Sequence, residues 1–292
     1  MNSRMTDLMK DLLKKAILGP FAQETRLYRL LYICLVLILT IITQVGGILI
    51  WPFLSMNPHD IGWFLQVKRF AYPLLSYCIG SQLLLPLISP LWGMEALPCS
   101  SDSNLQPLSH HTCFFNRNYI NSDALETLMK IERNMERLAP QQPILYLDAN
   151  FPLPYMHMLP HLNHSKGDSI DLAFFWKNPE TGAYAPPPSP IGYGGFVSPE
   201  KPRVCHPYDS YQIAGRIALD LRWDYDWLQP FRSNAVLNTS LTQTLMGFLA
   251  KQQNVESITL EPHLHPKIGT NKTIANSCKI SRHDDHLYVL FR

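Results

Sequence analysis

Two long runs without a single charge dominate the hydropathy pattern of the chain. Leu30 to Pro58 contains no Asp, Glu, Lys or Arg, and neither does Phe70 to Met94. A helix needs about 20 apolar residues to span a bilayer. The first run, LLYICLVLILTIITQVGGILIWPFL from Leu30 to Leu54, meets that length and places Tyr32 and Trp51 near its ends, where interfacial aromatics belong. It is too long for the apolar region of a cleaved signal peptide and has no convincing small-residue cleavage site. A transmembrane helix is expected. The second run is also long enough to span, but Pro73, Pro86 and Pro90 are expected to kink it. A re-entrant or interfacial segment is the alternative there. Residues 5–18 (MTDLMKDLLKKAIL) pattern as an amphipathic helix on a membrane face.

Beyond residue 94 the pattern shortens and becomes mixed. Residues 95–120, rich in Ser, Pro and Asn, read as a linker. Ser122 is placed to cap a helix in which Leu125, Leu128, Met129, Ile131 and Met135 recur at mostly helical spacing, ended by Gln142-Pro143. Ile144 to Leu147 reads as a short strand, 150–165 as a loop broken by Pro152, Pro154 and Pro160, and Ile170 to Trp176 as a second strand. Residues 177–203 form a long loop that includes APPPSPIGYGGF. Loops of that length inside compact domains are usually functional or mobile. Tyr211–Leu221 and Thr242–Gln252 pattern as helices. Between them the run Trp223-Asp224-Tyr225-Asp226-Trp227 reads as packing with a polar fringe, or as a wall of a substrate cleft. Ser257 to Leu260 is a strand leading into Glu261-Pro262-His263-Leu264-His265-Pro266, and His286 to Phe291 is a last strand. Strands and helices mix without a regular βαβ alternation, so the expected class is α+β. The organisation is a membrane region over 1–94 with one or two transmembrane helices, a linker over 95–120 and a domain over 121–292.

Composition changes this picture in three ways. Charged residues make up 16 % of the chain, below the roughly 25 % of an ordinary soluble protein, and the deficit lies in the two apolar runs. A net charge of +2, with no Lys/Arg cluster interleaved with aromatics after residue 95, gives no case for nucleic-acid binding. Cys34 and Cys78 lie in the apolar runs, whereas Cys99, Cys113, Cys205 and Cys278 follow them. An even count there suits disulfides in an oxidising compartment, with Cys99 and Cys113 closing a short loop; four buried thiols are the alternative.

Orientation signals conflict. Arg4, Lys10, Lys14, Lys15, Arg26 and Arg29 argue for a cytoplasmic N-terminal tail, and Lys68 and Arg69 argue for a cytoplasmic loop between the runs. No Lys or Arg occurs between Glu95 and Asn116, so the side after the second run is expected outside the cytoplasm.

Candidate chemistry concentrates in two places. In His164-x-x-Gly167-x-x-x-Asp171, a histidine leaving a loop and a carboxylate entering a strand can converge on one cation, and Gly167 allows the turn between them to tighten at positive φ. Zinc accepts both donor types, and a catalytic site takes three protein ligands plus water. The second place is His283-Asp284-Asp285-His286-Leu287-Tyr288. On a strand, His286, Tyr288 and Leu290 share one face, and Leu287, Val289 and Phe291 share the other. Among the other histidines, His263 and His265 flank a leucine between prolines and read as a turn. His157 and His161 are placed to rim a cleft, and His110 and His111 read as exposed linker. Ser165 and Ser169 lack a G-x-S-x-G context, which argues against a serine hydrolase.

Together these two elements resemble the lysostaphin/D-Ala-D-Ala-peptidase/hedgehog group of zinc peptidases, most of all the penicillin-insensitive murein endopeptidases. That group's first motif, H-x-x-G-x-x-x-D, is met by His164, Gly167 and Asp171. Its second, H-x-x-H-x-H near the C-terminus, is met by His283 and His286, with Tyr288 in place of the third histidine. The resemblance covers roughly residues 144–292 and is thin between the motifs. It implies an antiparallel sheet with flanking helices and zinc as cofactor. It implies His164, Asp171 and Tyr288 as the metal ligands, His286 as a base or polariser, and His283 as a residue that positions substrate. Peptidoglycan is the implied partner, and the implied reaction is hydrolysis of a cross-link amide. Tyrosine, with an ordinary pKa near 10, is a poorer ligand at neutral pH than imidazole. Tyr288 ligates, or His286, His283 or the His263/His265 pair substitutes, or the chain is a non-catalytic relative. The expectation is a zinc metallopeptidase on the outer face of a bacterial cytoplasmic membrane. A cell-wall binding or scaffolding relative, and a membrane protein with an interaction domain and no metal, are the competing classes.

Overall fold

The computed structural model describes residues 26–55, 63–159, 163–197, 233–275 and 283–292. The expected amphipathic helix 5–18, the helix Tyr211–Leu221, the aromatic run 223–227, His161, Cys205 and Cys278 lie outside the described residues. The chain divides into two compact units, 1–88 and 89–292.

In the first unit, α1 (Arg26–Thr43) carries the start of the first apolar run, but it stops well before Leu54. Gln44 takes a φ of +66°, which ends the helix, and the chain turns back into the short α2 (Gly46–Ile50). The paired glycines permit the reversal. A Cβ on Gly47 would meet Thr40 Oγ1 and the Val36 carbonyl at 2.1 and 2.4 Å, so only glycine lets α2 lie against α1. Thr43 Oγ1 seals the corner by accepting the Gly46 N–H at 2.7 Å. The uninterrupted 25-residue helix expected over Leu30–Leu54 is therefore replaced by a helical hairpin. The second run is interrupted near Pro86 and Pro90, whereas Pro73 lies within a regular helix. α3 (Trp63–Ile79) passes into a π turn at Gly80–Leu84, then α4 (Leu85–Ile88) and a 3-10 turn at Ser89–Trp92. Pro86 and Pro90 have no N–H for the regular ladder, and the altered helical pitches fall around them. Among the described residues, Ala71–Trp92 is the one helix long and apolar enough to cross a membrane, by length and composition.

The second unit is built on a six-stranded sheet: β2 (Leu105–Pro107), β4 (Ile144–Tyr146), β5 (Ser169–Ala173), β9 (Val255–Leu260), β10 (Thr273–Ala275) and β11 (His286–Phe291). Its spatial order is β10-β9-β11-β5-β4-β2. The four central strands pair antiparallel, and the outer pairs β10–β9 and β4–β2 run parallel. The class is α+β as expected, with a mixed rather than purely antiparallel sheet. Two smaller sheets join β1 (Met94–Ala96) to β3 (Tyr119–Asn121), and β6 (Trp176–Lys177) to β7 (Tyr184–Ala185) and β8 (Val236–Leu237).

The stretch 95–120 is not a linker. It supplies most of β1, all of β2, the short helix α5 (His110–Phe114) and the start of β3, and it buries Leu97, Leu105 and Ile120. Most of its Ser, Pro and Asn residues sit between these short pieces, so composition conceals a folded segment. Cys99 and Cys113 form the disulfide expected of them.

One face of the sheet is the core. Ile170, Leu172, Leu287, Val289 and Ile258 are fully buried there, against Leu128, Ile131 and Met135 of α6 (Ser122–Leu138) and Leu245, Met246 and Leu249 of α7 (Thr239–Lys251). Asn121, one residue before the expected cap, accepts the Ala124 N–H through its side chain and starts α6; Asn238 does the same for α7. The other face carries Ser169, Asp171 and Ala173 of β5 beside Leu290, Tyr288 and His286 of β11, as the strand register sets them.

The Cys99–Cys113 link closes a loop with a sequence separation of 14, for which chain entropy predicts about 3 kcal/mol of stabilisation. Replacing both cysteines by serine is expected to lower the unfolding free energy of this unit by about that amount. Denaturant titration of the full chain in detergent, followed by tryptophan fluorescence, checks it.

Candidate metal centre

Asp171 stands in the middle of β5 and is 1 % exposed. Its backbone is held from both directions: its N–H donates to the Asp148 carbonyl at 2.8 Å and its carbonyl accepts from Leu147 at 2.9 Å. Across the strand pair it lies opposite Tyr288, and the next pair down is Ala173 with His286. The alternation expected for β11 holds, so His286 and Tyr288 rise on the same face as Asp171.

His164 reaches that face from the loop before β5. Gly167 turns the loop at φ +79°, as the motif spacing requires, and its carbonyl accepts from Asn121 at 2.7 Å. A Cβ there would lie 2.4 Å from Met94 Sδ. Ser169 Oγ sits 3.3 Å from His164 Nδ1, which leaves Nε2 on the side of Asp171. His164 Nε2 is 3.3 Å from Asp171 Oδ2, and His286 Nε2 is 3.7 Å from Asp171 Oδ1. Two donors bound to one tetrahedral zinc at about 2.0–2.1 Å stand about 3.3 Å apart, so the His164–Asp171 spacing fits two ligands of one ion. Among the described residues no set of three or more His, Cys, Asp or Glu is drawn together as a complete metal-holding group.

His286 is oriented by its neighbour. Its Nδ1 meets Asp285 Oδ1 at 2.5 Å, the carboxylate–imidazole arrangement that fixes the ring of a metal-ligating histidine. The second oxygen of Asp285 accepts the Gly194 N–H at 2.6 Å. Burial pushes the His286 imidazole toward neutrality, but Asp285, Asp171 and Asp284 together outweigh it and raise its pKa to about 9. The His283 ring lies 4.9 Å from that of His286 and 6.0 Å from that of Tyr288.

Tyr288 stands beside His164 and Asp171 on the same face. Its ring packs edge-on against His164 at 5.4 Å. Burial raises its pKa to about 12. The histidine nitrogen facing the Asp171 carboxylate from β11 is that of His286.

Among the described residues four further histidines are exposed and one forms a turn contact. His263 and His265 form a turn leading into α8 (His265–Ile268), with His263 Nε2 2.6 Å from the Val197 carbonyl and His265 exposed. His110, His111 and His157 are exposed.

Three residues that the motifs do not contain complete the centre. Arg117 grips Asp148 through Nε–Oδ1 at 2.6 Å and Nη2–Oδ2 at 2.8 Å. The Tyr193 hydroxyl lies 2.6 Å from Asp171 Oδ2 and 3.0 Å from Asp148 Oδ2. Its ring covers that of His286 at 5.0 Å. Burial, then the charges of Asp148 and Asp171, push the Tyr193 pKa far up, so its proton stays in place. Tyr193 comes from the long Pro/Gly loop, whose length was a signal of function. Asp148 follows β4, and nothing local marks Arg117.

The chain matches no protein-family model and no curated protein. What the fold and site define is therefore a class: an α+β domain whose central antiparallel strands bury Asp171 and His286 on one face, joined there by His164 from the loop before β5.

Two outcomes are expected from this geometry. Gly167→Ala forces a side chain into left-handed backbone and into Met94, and is expected to destabilise the unit by about 1–3 kcal/mol in denaturant titration. His286 has a folded pKa of about 9 against about 6.5 unfolded. Its contribution to stability is then complete below pH 6.5 and lost as pH rises through 9. With chelator present, the gap in thermal midpoint between the wild type and His286→Gln should shrink between those values.

Proposed function

We propose that residues 89–292 form a zinc-binding domain of the murein-endopeptidase type that hydrolyses amide bonds of peptidoglycan cross-links. The observation that carries this reading is the His164–Asp171 approach at a spacing that suits two ligands of one ion, made by the residues of the H-x-x-G-x-x-x-D motif. The donor set of two imidazoles and a carboxylate suits zinc. His164, Asp171 and His286 would hold it, with Tyr288 forming the wall beside His164. Zinc bound by these residues would supply a water with a pKa near 7 and Lewis-acid polarisation of a carbonyl. Of the chain's own groups, His283 is placed to take or return a proton beside His286. Asp285 orients His286, and Ser169 orients His164. The hedgehog/DD-peptidase-like fold is part of the same proposal, supported by central strands that carry one motif each.

The apolar helix Ala71–Trp92 and the exposed leucines of the first unit support attachment to a membrane. The absence of Lys and Arg from 95–116 and the Cys99–Cys113 disulfide support an extracytoplasmic position on a bacterial cytoplasmic membrane.

A second reading has its own observation. His164, Asp171 and His286 are each no more than 2 % exposed, with Tyr193 packed over His286, whereas a catalytic zinc keeps an open position. That enclosure favours a cell-wall binding relative in which the metal is structural.

Metal analysis of the full chain purified in detergent is expected to find one zinc per chain. It should be lost in His164→Ala, Asp171→Ala and His286→Ala and kept in Tyr288→Phe. Incubation with purified peptidoglycan should release cross-link fragments. A folded chain without zinc refutes the proposal, and stoichiometric zinc without cleavage selects the second reading.

A further inference from the structure

We infer that Tyr193 is a positioning residue for the metal-binding carboxylate, and that Arg117 and Asp148 set Tyr193. The inference rests on the metal-centre reading above and concerns residues that no motif contains. Tyr193 sits between Gly192 and Gly194, both at positive φ, +83° and +84°. These two reversals turn the strap so that the tyrosine points inward onto the centre, where it is 7 % exposed. A side chain at Gly192 would meet Leu147 at 2.2 Å, so the strap runs tight against the strand that leads to Asp148.

The Tyr193 hydroxyl has one proton and two carboxylate neighbours. Asp148 already receives two N–H groups from Arg117 in a bidentate clasp, a geometry that satisfies both of its oxygens. Of the two contacts the one to Asp171 is the shorter, 2.6 against 3.0 Å, and takes the Tyr193 proton. A carboxylate otherwise rotates about its Cβ–Cγ bond. Held at Oδ2 by Tyr193, the Asp171 carboxylate keeps one oxygen toward His164 and the other toward His286. Arg117 acts at the far end of this relay: with Asp148 neutralised, the hydroxyl is not drawn away from Asp171.

Hydrogen-bond partners of metal ligands typically change metal affinity 10- to 100-fold when removed. Tyr193→Phe deletes the hydroxyl and keeps the ring over His286. The test uses the full chain in detergent, titrated with zinc against a chromophoric chelator and then loaded to saturation with cobalt(II). Tyr193→Phe is expected to weaken zinc binding about 10- to 100-fold and to shift the visible cobalt bands. Arg117→Lys, which removes the bidentate clasp, is expected to move both readouts in the same direction by less. Tyr146→Phe, which loses a core hydroxyl bonded to the Pro98 carbonyl, should change neither. A residue that only packed the strap would leave the bands of the cobalt-saturated protein in place. Zinc affinity and cobalt bands unchanged in both Tyr193→Phe and Arg117→Lys overturn the inference while leaving the metal centre standing. A wild type that binds no zinc overturns both.

Discussion

The pairing of β5 with β11 decides everything at the centre of this domain. In their register Asp171 faces Tyr288 and His286 faces Ala173, so polar groups from two distant parts of the chain share one face. Their neighbours Ile170, Leu172, Leu287 and Val289 fill the opposite face with no exposure at all. A slip by one residue would exchange the two sets. Each of those apolar side chains gains about 1.5–3 kcal/mol from burial, and a buried carboxylate on the core face would have no partners. The hydrophobic side of the sheet thus enforces the convergence on the polar side.

Convergence of this kind is costly to maintain, because it removes charge from water. Asp148, Asp171, Asp284 and Asp285 are all buried, and Arg117 and His286 lie among them. An unpaired buried charge costs several kcal/mol, and pairing with good hydrogen-bond geometry offsets it. The structure supplies that geometry at each point the contacts reach: a bidentate guanidinium on Asp148, an imidazole and a backbone N–H on Asp285, a tyrosine hydroxyl on Asp171. The upward shift of the His286 pKa follows from the same carboxylates.

Much of this was legible in the chain where the signal is local. The period-2 alternation of HLYVLF assigned its faces correctly, and the spacing of His164, Gly167 and Asp171 announced a turn at positive φ leading into a buried strand. The helices α6 and α7 were visible from their apolar spacing. What was missed depends on contacts remote in sequence. Residues 95–120 look like a linker because their strands are three residues long, so no periodicity builds up, and their partners are remote: β1 pairs with β3 at the far end of the stretch and β2 with β4 beyond it. The apolar run Leu30–Leu54 reads as one helix because hydropathy does not register the reversal at Gln44 and its glycine pair. Arg117 precedes its partner Asp148 by 31 residues, and Tyr193 follows Asp171 by 22. Arg117 has no neighbour that hints at a site, and Tyr193 is marked only by the length of its loop.

His286 shows how the local and the remote parts combine. The motif places a histidine at this point of β11, but a histidine presents two nitrogens, and a strand position does not choose between them. Asp285 makes the choice by taking Nδ1 with one oxygen. Its other oxygen is held by the Gly194 N–H, and Gly194 follows Tyr193 in the strap, so the direction of Asp285 is itself set from across the site. Nε2 is what remains on the Asp171 side. The same short strap that presents the Tyr193 hydroxyl to Asp171 therefore also aims the nitrogen that faces Asp171 from β11. A single segment, bent inward by two glycines, orients both partners of the Asp171–His286 pair.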